Sequence, residues 1–95
     1  MTIEEALFIL DDILGQETLN DTQELVFRHA WENWTYERIA DQFGYTTDYV
    51  RNVGAQLWDY LTGLLGVRVT KRNLQSVLRR WAQQNGSTNP PPEHS

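Results

Sequence analysis

A chain of 95 residues without cysteine has room for one folded domain, and it excludes a disulfide framework or a zinc–thiolate site. Hydrophobic residues make up 40% of the chain and aromatic residues 12%, which excludes a wholly disordered protein. No apolar stretch approaches the roughly 20 residues of a membrane span. The first residues are acidic, unlike the basic start of a signal peptide, so we expect a cytoplasmic protein without a membrane partner.

The charges are divided unevenly along the chain. Residues 1–34 contain eight acidic side chains and one arginine, whereas residues 35–82 contain seven basic and four acidic side chains. The net charge of −5 argues against nucleic-acid binding, but contact with phosphate depends on the local charge. The second half is therefore a candidate nucleic-acid surface. The alternative is that the acidic half pairs with the basic half inside the fold.

Helix-start and helix-stop residues predict two helices in the first third of the chain. Thr2 and Glu5 have the spacing of a capping box, and Gly15 is a suitable stop. Asn20 or Asp21 begins the second helix. Apolar residues recur at helical spacing in both segments.

The same signals predict three further helices and no paired strand. The third runs from Thr35 to Gly44, the fourth from Thr46 or Thr47 to Gly66, and the fifth begins at Thr70. The short segment 67–69 between the last two is expected to be extended or irregular. The sequence therefore predicts an all-α, five-helix domain over residues 1–84. Because of its consecutive prolines, the segment 85–95 is predicted to be a disordered tail or linker.

Residues 36–55, YERIADQFGYTTDYVRNVGA, have the spacing of a helix-turn-helix. Ala40 is small enough for a second helix to cross closely, and Gly44 supplies the positive φ of a tight turn. The other positions that fit the motif are expected to face the interior or the turn: Ile39, Phe43, Tyr45, Val50 and Val53. The alternative is an ordinary helical hairpin.

The fourth helix has one apolar and one polar face. At 100° per residue the apolar stripe consists of Val50, Val53, Leu57, Leu61 and Leu64. The opposite face contains Asp48, Arg51, Asn52, Ala55 and Asp59, with Gln56 at its edge. Arginine, asparagine and glutamine can bind guanine and adenine edges in the major groove. Thr46 and Thr47, at the helix start, can donate to phosphate. The two aspartates instead favour a solvated polar face.

A second basic group surrounds the fifth helix. It consists of Arg68, Lys71, Arg72, Arg79 and Arg80. Basic side chains of this kind bind the phosphates of a duplex without reading its sequence. The sequence therefore predicts the DNA-binding residues Thr46, Thr47, Arg51, Asn52, Ala55, Gln56, Lys71, Arg72, Arg79 and Arg80.

Motifs for other chemistry do not stand out. The chain has no glycine-rich phosphate loop and no metal-ligand spacing, so we expect no catalytic residue, metal or cofactor. His29 is expected to have a structural or exposed role. Gly54 and Gly63 lie inside the fourth helix. We expect close packing against a neighbouring element to explain the glycine at position 54. The four tryptophans, Trp31, Trp34, Trp58 and Trp81, are expected to belong to the core rather than to a stacking platform for single strands.

The segment WTYERIADQFGYTTDYVRNVGAQLWDYLTGLLGVRVTKRNLQSVL resembles the N-terminal helix-turn-helix domain of the vWA-MoxR associated proteins. The resemblance covers about residues 19–80 and includes the pairs Ile39-Ala40, Gly44-Tyr45 and Leu57-Trp58. In cyanobacteria, similar domains precede signalling ATPase modules of the NB-ARC and related classes. The helix-turn-helix also resembles, more loosely, those of the LuxR class and of sigma-factor region four.

The resemblance implies the N-terminal domain of a larger transcriptional or signalling regulator. Two functions remain open. The first is duplex-DNA binding through the fourth helix. The second is docking of a partner protein through Phe8, Ile9 or exposed aromatic residues, without DNA binding. Whether the domain forms a homodimer is also open.

Overall fold

A computed structural model describes residues 1–85 and shows a domain built from helices alone in that range. This confirms the predicted all-α, five-helix architecture. Of the predicted tail, residues 85–95, only Asn85 is described, as the last residue of the fifth helix, and residues 86–95 lie outside the described range. The helices are α1 (Ile3–Leu14), α2 (Asp21–Trp31), α3 (Tyr36–Phe43), α4 (Thr47–Leu65) and α5 (Leu74–Asn85).

Polar side chains fix the starts of the first four helices. Thr2 and Glu5 form the predicted capping box, with hydrogen bonds of 2.9 and 3.2 Å. Asn20, rather than Asp21, caps α2 and forms a second capping box with Gln23. Thr35 and Thr46 cap α3 and α4. Each cap satisfies a backbone N–H that has no partner within the helix.

The start of α5 differs from the prediction. The helix begins at Leu74 rather than just after Thr70, and residues 71–73 form a turn. Thr70 Oγ1 accepts a hydrogen bond from the Asn73 backbone, and the Thr70 backbone donates to Asn73 Oδ1 at 2.7 Å. The Asn73 side chain also donates to the Arg68 carbonyl at 2.9 Å. The two bonds between Thr70 and Asn73 have the reciprocal pattern of a capping box, so Thr70 caps the turn at residues 71–73 that leads into α5.

The core lies between α4 and the other helices. α3 and α2 pack against one side of α4, while α1 packs against α5 and α4. The largest fully buried side chains come from every helix: Phe27, Ile9, Leu10, Ile39, Leu57, Leu61, Leu74, Leu78, Val26 and Val50. Trp31 and Trp58 are buried, and Trp34 and Trp81 pack against the core. The expectation that the tryptophans belong to the core is therefore confirmed.

Three apolar side chains predicted to face inward are exposed. Leu64 ends the predicted stripe of α4 but is 44% exposed, whereas the next residue, Leu65, is partly buried against the core. Phe43 and Tyr45, predicted to close the core and to lie under the turn, are each 39% exposed. The Phe43 ring packs edge-on against His29, and the Tyr45 ring against Tyr49. The helix-turn-helix core thus closes without Phe43 and Tyr45 being buried.

Gly54 of α4 lies directly against the side chain of Tyr36 in α3. A Cβ atom at this position would lie 2.9 Å from the Tyr36 ring, nearer than side-chain packing allows. The Tyr36 hydroxyl accepts a hydrogen bond of 2.9 Å from Trp58 Nε1. The expectation that packing explains Gly54 is confirmed.

A hydrogen bond ties the loop before α2 to the far part of α4. The Tyr60 hydroxyl donates to Glu17 Oε1 at 2.6 Å. This bond raises the pKa of Tyr60, because it stabilises the protonated phenol. None of the helices in the described part has the length and hydropathy of a membrane-spanning segment.

The backbone of Gly44 predicts how substitutions at the turn will behave. Gly44 has φ 77° and ψ 27°, and a Cβ atom there would meet nothing within 4 Å. The penalty for a side chain is therefore conformational rather than steric. Gly44→Val should cost roughly 1–2 kcal/mol of unfolding free energy, and Gly44→Asn should cost less, because asparagine tolerates this region. Urea denaturation measures both, and equal stabilities would contradict the left-handed turn.

Candidate nucleic-acid interface

The two helices of the motif are joined by a turn with defined hydrogen bonds. α3 ends at Gly44, whose N–H donates to the Ala40 carbonyl, and the Tyr45 N–H donates to the same carbonyl at 2.9 Å. Ala40 is 3% exposed and Val50 is fully buried. The small side chain of Ala40 lets α4 cross α3 closely, as predicted.

The predicted reading face of α4 is open to solvent. Arg51, Asn52, Ala55 and Gln56 are all exposed, whereas Val50, Leu57 and Leu61 on the other side are fully buried. The helix therefore presents two amides and a guanidinium on one surface. This surface can form hydrogen bonds with a ligand without any change in the core.

The two threonines at the start of α4 have different environments. Thr46 is exposed, and its Oγ1 accepts a hydrogen bond of 3.1 Å from the Tyr49 backbone. Its hydroxyl proton remains available to an outside acceptor. Thr47 is half-buried, so it offers less of its hydroxyl to a ligand.

Arg51 is held by a neighbouring carboxylate. Its Nη1 lies 3.0 Å from Asp48 Oδ1, and the two side chains are 59% and 88% exposed. The residues are three apart on the helix, which places them side by side. The pair orients the guanidinium but removes a net positive charge from the start of the reading face.

The basic group is only partly assembled around the helix-turn-helix. Lys71 is half-buried, and its Nζ lies 5.8 Å from the centre of the Tyr36 ring, which itself touches Gly54. Lys71 therefore lies near Tyr36, at the start of α3. Arg72, Arg79 and Arg80 are exposed. In the described part, no hydrogen bond or ion pair connects the last two to α4, so the structure does not bring the whole predicted site together.

The acidic and basic halves do not neutralise each other through ion pairs within the described range. The ion pairs there join Arg28 to Glu24 and Arg51 to Asp48, each within a single helix. Pairing between α1 or α2 and the basic group, the alternative raised by the sequence, is absent from residues 1–84. The basic side chains near α5 remain available to an outside anion.

Two surface features near the motif were missed by the sequence analysis. The Arg38 guanidinium lies 4.0 Å from the centre of the Trp34 ring, a cation–π contact. Tyr45 and Tyr49 form an exposed pair with ring centres 5.2 Å apart. The spacing of four residues in both pairs was the available signal.

His29 has the structural role that was expected. Its Nδ1 donates to the Leu25 carbonyl at 2.8 Å, and its ring contacts Trp34 and Phe43. The side chain is half-buried between α2 and α3. These contacts fix how the segment before α3 lies on α2.

An exposed apolar patch lies at the start of α1. Phe8 is 64% exposed and Met1 44%. They line a shallow cavity of about 320 Å³ together with Glu4, Glu5 and Ile9. The prediction that Ile9 is available for docking is wrong, because Ile9 is 2% exposed and belongs to the core. Of Phe8 and Ile9, only Phe8 has an exposed side chain.

Comparison with known proteins agrees with the resemblance seen in the sequence. The family model described as vWA-MoxR associated protein N-terminal HTH matches residues 1–81. No curated protein and no solved structure matches the chain significantly. The matched range includes α1, the helix-turn-helix and most of α5. The chain therefore belongs to the family of vWA-MoxR associated protein N-terminal HTH domains.

Proposed function

We propose that the domain binds duplex DNA with α4 in the major groove. The observation that carries this proposal is the exposed hydrogen-bonding face of α4, located on the second helix of a helix-turn-helix. That helix enters the groove in the known DNA-binding motifs of this kind. The proposal implies a cytoplasmic location, where a bacterial chromosome is found.

The side chains of the reading face have separate roles in this proposal. Arg51 binds a guanine through O6 and N7, Asn52 and Gln56 bind adenine through N6 and N7, and Ala55 contacts a thymine methyl group. Thr46 and Thr47 donate to the phosphates at the edge of the groove. In this proposal, most contacts that distinguish one base pair from another come from one surface of α4.

The remaining predicted residues contact phosphates. The Lys71 ammonium group lies near the Tyr36 ring at the start of α3. Arg72, Arg79 and Arg80 extend the positive surface and have no carboxylate partner in residues 1–84. Such contacts add affinity for any duplex and make it salt-dependent. The family name supports a role as the N-terminal module of a larger transcriptional or signalling regulator.

A second candidate function is docking of a partner protein or of a second copy through α1. The observation that favours it is the exposure of Phe8 and Met1 in an acidic surrounding. An exposed aromatic side chain beside carboxylates suits a partner surface that is both apolar and basic. In this case the domain is an adaptor and α4 is a solvated face.

Amide NMR spectra of the full chain during titration with duplex DNA separate the two functions. DNA binding through α4 should shift the resonances of Arg51, Asn52, Ala55 and Gln56 in proportion to bound duplex. Residues around Phe8 serve as the internal control and should remain unchanged. Shifts confined to α1, or no shifts at all, would contradict the proposal.

A further inference from the structure

Asp48 occupies a position on the reading face that a phosphate-binding surface would avoid. Asp48 lies one turn before Arg51 and Asn52 along the helix. Around the helix axis, its angular position falls between those two residues. Its side chain is 88% exposed. In residues 1–84 its only side-chain partner is Arg51, through Oδ1, so Oδ2 is available to an outside donor.

The major groove offers few partners to a carboxylate. Its hydrogen-bond donors are the amino groups of cytosine N4 and adenine N6, whereas guanine and thymine present acceptors at the corresponding edge. A carboxylate inserted there is repelled by phosphate and by acceptor edges alike. It is favourable only opposite an amino group and only if a nearby cation compensates its charge.

The Asp48–Arg51 pair meets the second condition. The guanidinium carries five N–H donors, and the contact of 3.0 Å between Nη1 and Oδ1 leaves enough of them for bidentate binding of guanine. Arg51 also compensates the charge of Asp48. The contact places the two side chains next to each other on the exposed face of α4.

We propose that Asp48 and Arg51 act as one reading unit for two neighbouring base pairs. Arg51 binds guanine, and Asp48 accepts a hydrogen bond from a cytosine or adenine amino group in the adjacent pair. This inference rests on the proposed DNA-binding function and deepens it. It names the ligand as a duplex in which guanine adjoins an amino-bearing base on the edge facing α4.

A binding-site selection with the full chain tests the proposal. The wild type and two variants, Asp48→Asn and Asp59→Asn, are each equilibrated with a random duplex pool. Dissociation constants are then measured for the selected duplex and its single-base substitutions. Asp59 is the matched control, because it is exposed on the same side of α4 but lies three turns further along. Circular dichroism checks that all three proteins are folded.

The wild type should prefer cytosine or adenine over thymine or guanine by about tenfold at one position beside the guanine. Asp48→Asn should lose most of that preference, because an amide donates to acceptor edges as readily as it accepts. The preference for guanine should persist. Asp59→Asn should keep both preferences, and both variants should bind non-specific duplex more tightly because each loses a negative charge.

Two results would overturn the proposal in distinguishable ways. If the wild type selects a sequence but Asp48→Asn shows the same base preferences, Asp48 serves only the dipole of α4 and the reading unit is wrong. If the wild type binds no duplex, the proposed DNA-binding function is wrong, and so is the proposed reading unit.

Discussion

Gly54→Ala is expected to destabilise the domain by about 1–3 kcal/mol, although alanine is the better helix former. The added Cβ would lie 2.9 Å from Cε1 and from the hydroxyl oxygen of Tyr36. The ring cannot retreat freely, because its hydroxyl accepts the hydrogen bond from Trp58 Nε1. Trp58 is 6% exposed, so losing that bond would leave a buried donor unsatisfied.

Gly63→Ala is the matched control on the same helix. A Cβ at Gly63 would meet nothing within 4 Å. The substitution should therefore stabilise the domain by up to about 1 kcal/mol, the difference in helix propensity. Urea denaturation at equilibrium measures both variants, and the two free-energy changes should have opposite signs.

A Tyr36→Ala background isolates the cause of the Gly54 effect. Removing the ring should abolish most of the cost of Gly54→Ala, so that the two substitutions are strongly non-additive. An unchanged cost in the absence of the ring would show that the close approach of Tyr36 is not the reason for the glycine.

Arg51→Ala is expected to weaken binding to the preferred duplex by roughly 1–3 kcal/mol and to relax selectivity at one base pair. In the proposed complex the side chain reaches the groove from the exposed face of α4, and Arg51 is the one basic residue of that helix. Fluorescence anisotropy with the preferred duplex and its single-base variants measures both effects. An equal loss of affinity for all duplexes would instead show that Arg51 contacts a phosphate.

Arg79→Ala provides the contrast, because Arg79 lies on α5, which packs against α1. Removal of the Arg79 side chain should weaken binding to all duplexes by the same factor. It should also reduce the magnitude of the slope of log affinity against log salt concentration by about one. Base preferences should be unchanged. If Arg79→Ala instead removed the base preference at a single base pair, the assignment of Arg79 to a phosphate contact would be wrong.

The helix boundaries could be predicted from the sequence because capping is local. The hydrogen bonds from Thr2, Thr35 and Thr46 reach no further than three residues, and Gly44 and Gly66 supply the left-handed ends of α3 and α4. Thr70 makes the capping hydrogen bonds expected of it, but the turn at residues 71–73 that separates it from α5 could not be predicted from Thr70 alone.

Burial depends on which helices meet, and the sequence pattern contains only part of that information. Leu64 fits the apolar stripe of α4 but is exposed, while its neighbour Leu65 packs against the core. Ile9 and Phe8 are adjacent in the sequence and equally apolar, yet only Ile9 is buried. In this case the local pattern agrees with the structure, because Phe8 shares its face of α1 with four acidic residues, Glu4, Glu5, Asp11 and Asp12.

The polar face of α4 was predictable because it lies opposite a strong apolar stripe. The distances within the site were not. The hydrogen bond between Asp48 and Arg51 and the contact of Arg38 with Trp34 depend on side-chain conformation. The position of Lys71 beside Tyr36 depends on the course of the turn before α5.

Titration of the wild-type chain with mixed-sequence duplex DNA at two salt concentrations tests the central claim most directly. Low ionic strength near neutral pH should give measurable binding, and raising the salt should weaken it on a log–log slope set by the number of phosphate contacts. If duplex binding is absent at low salt, the exposed basic residues serve a protein partner, and α4 does not read DNA.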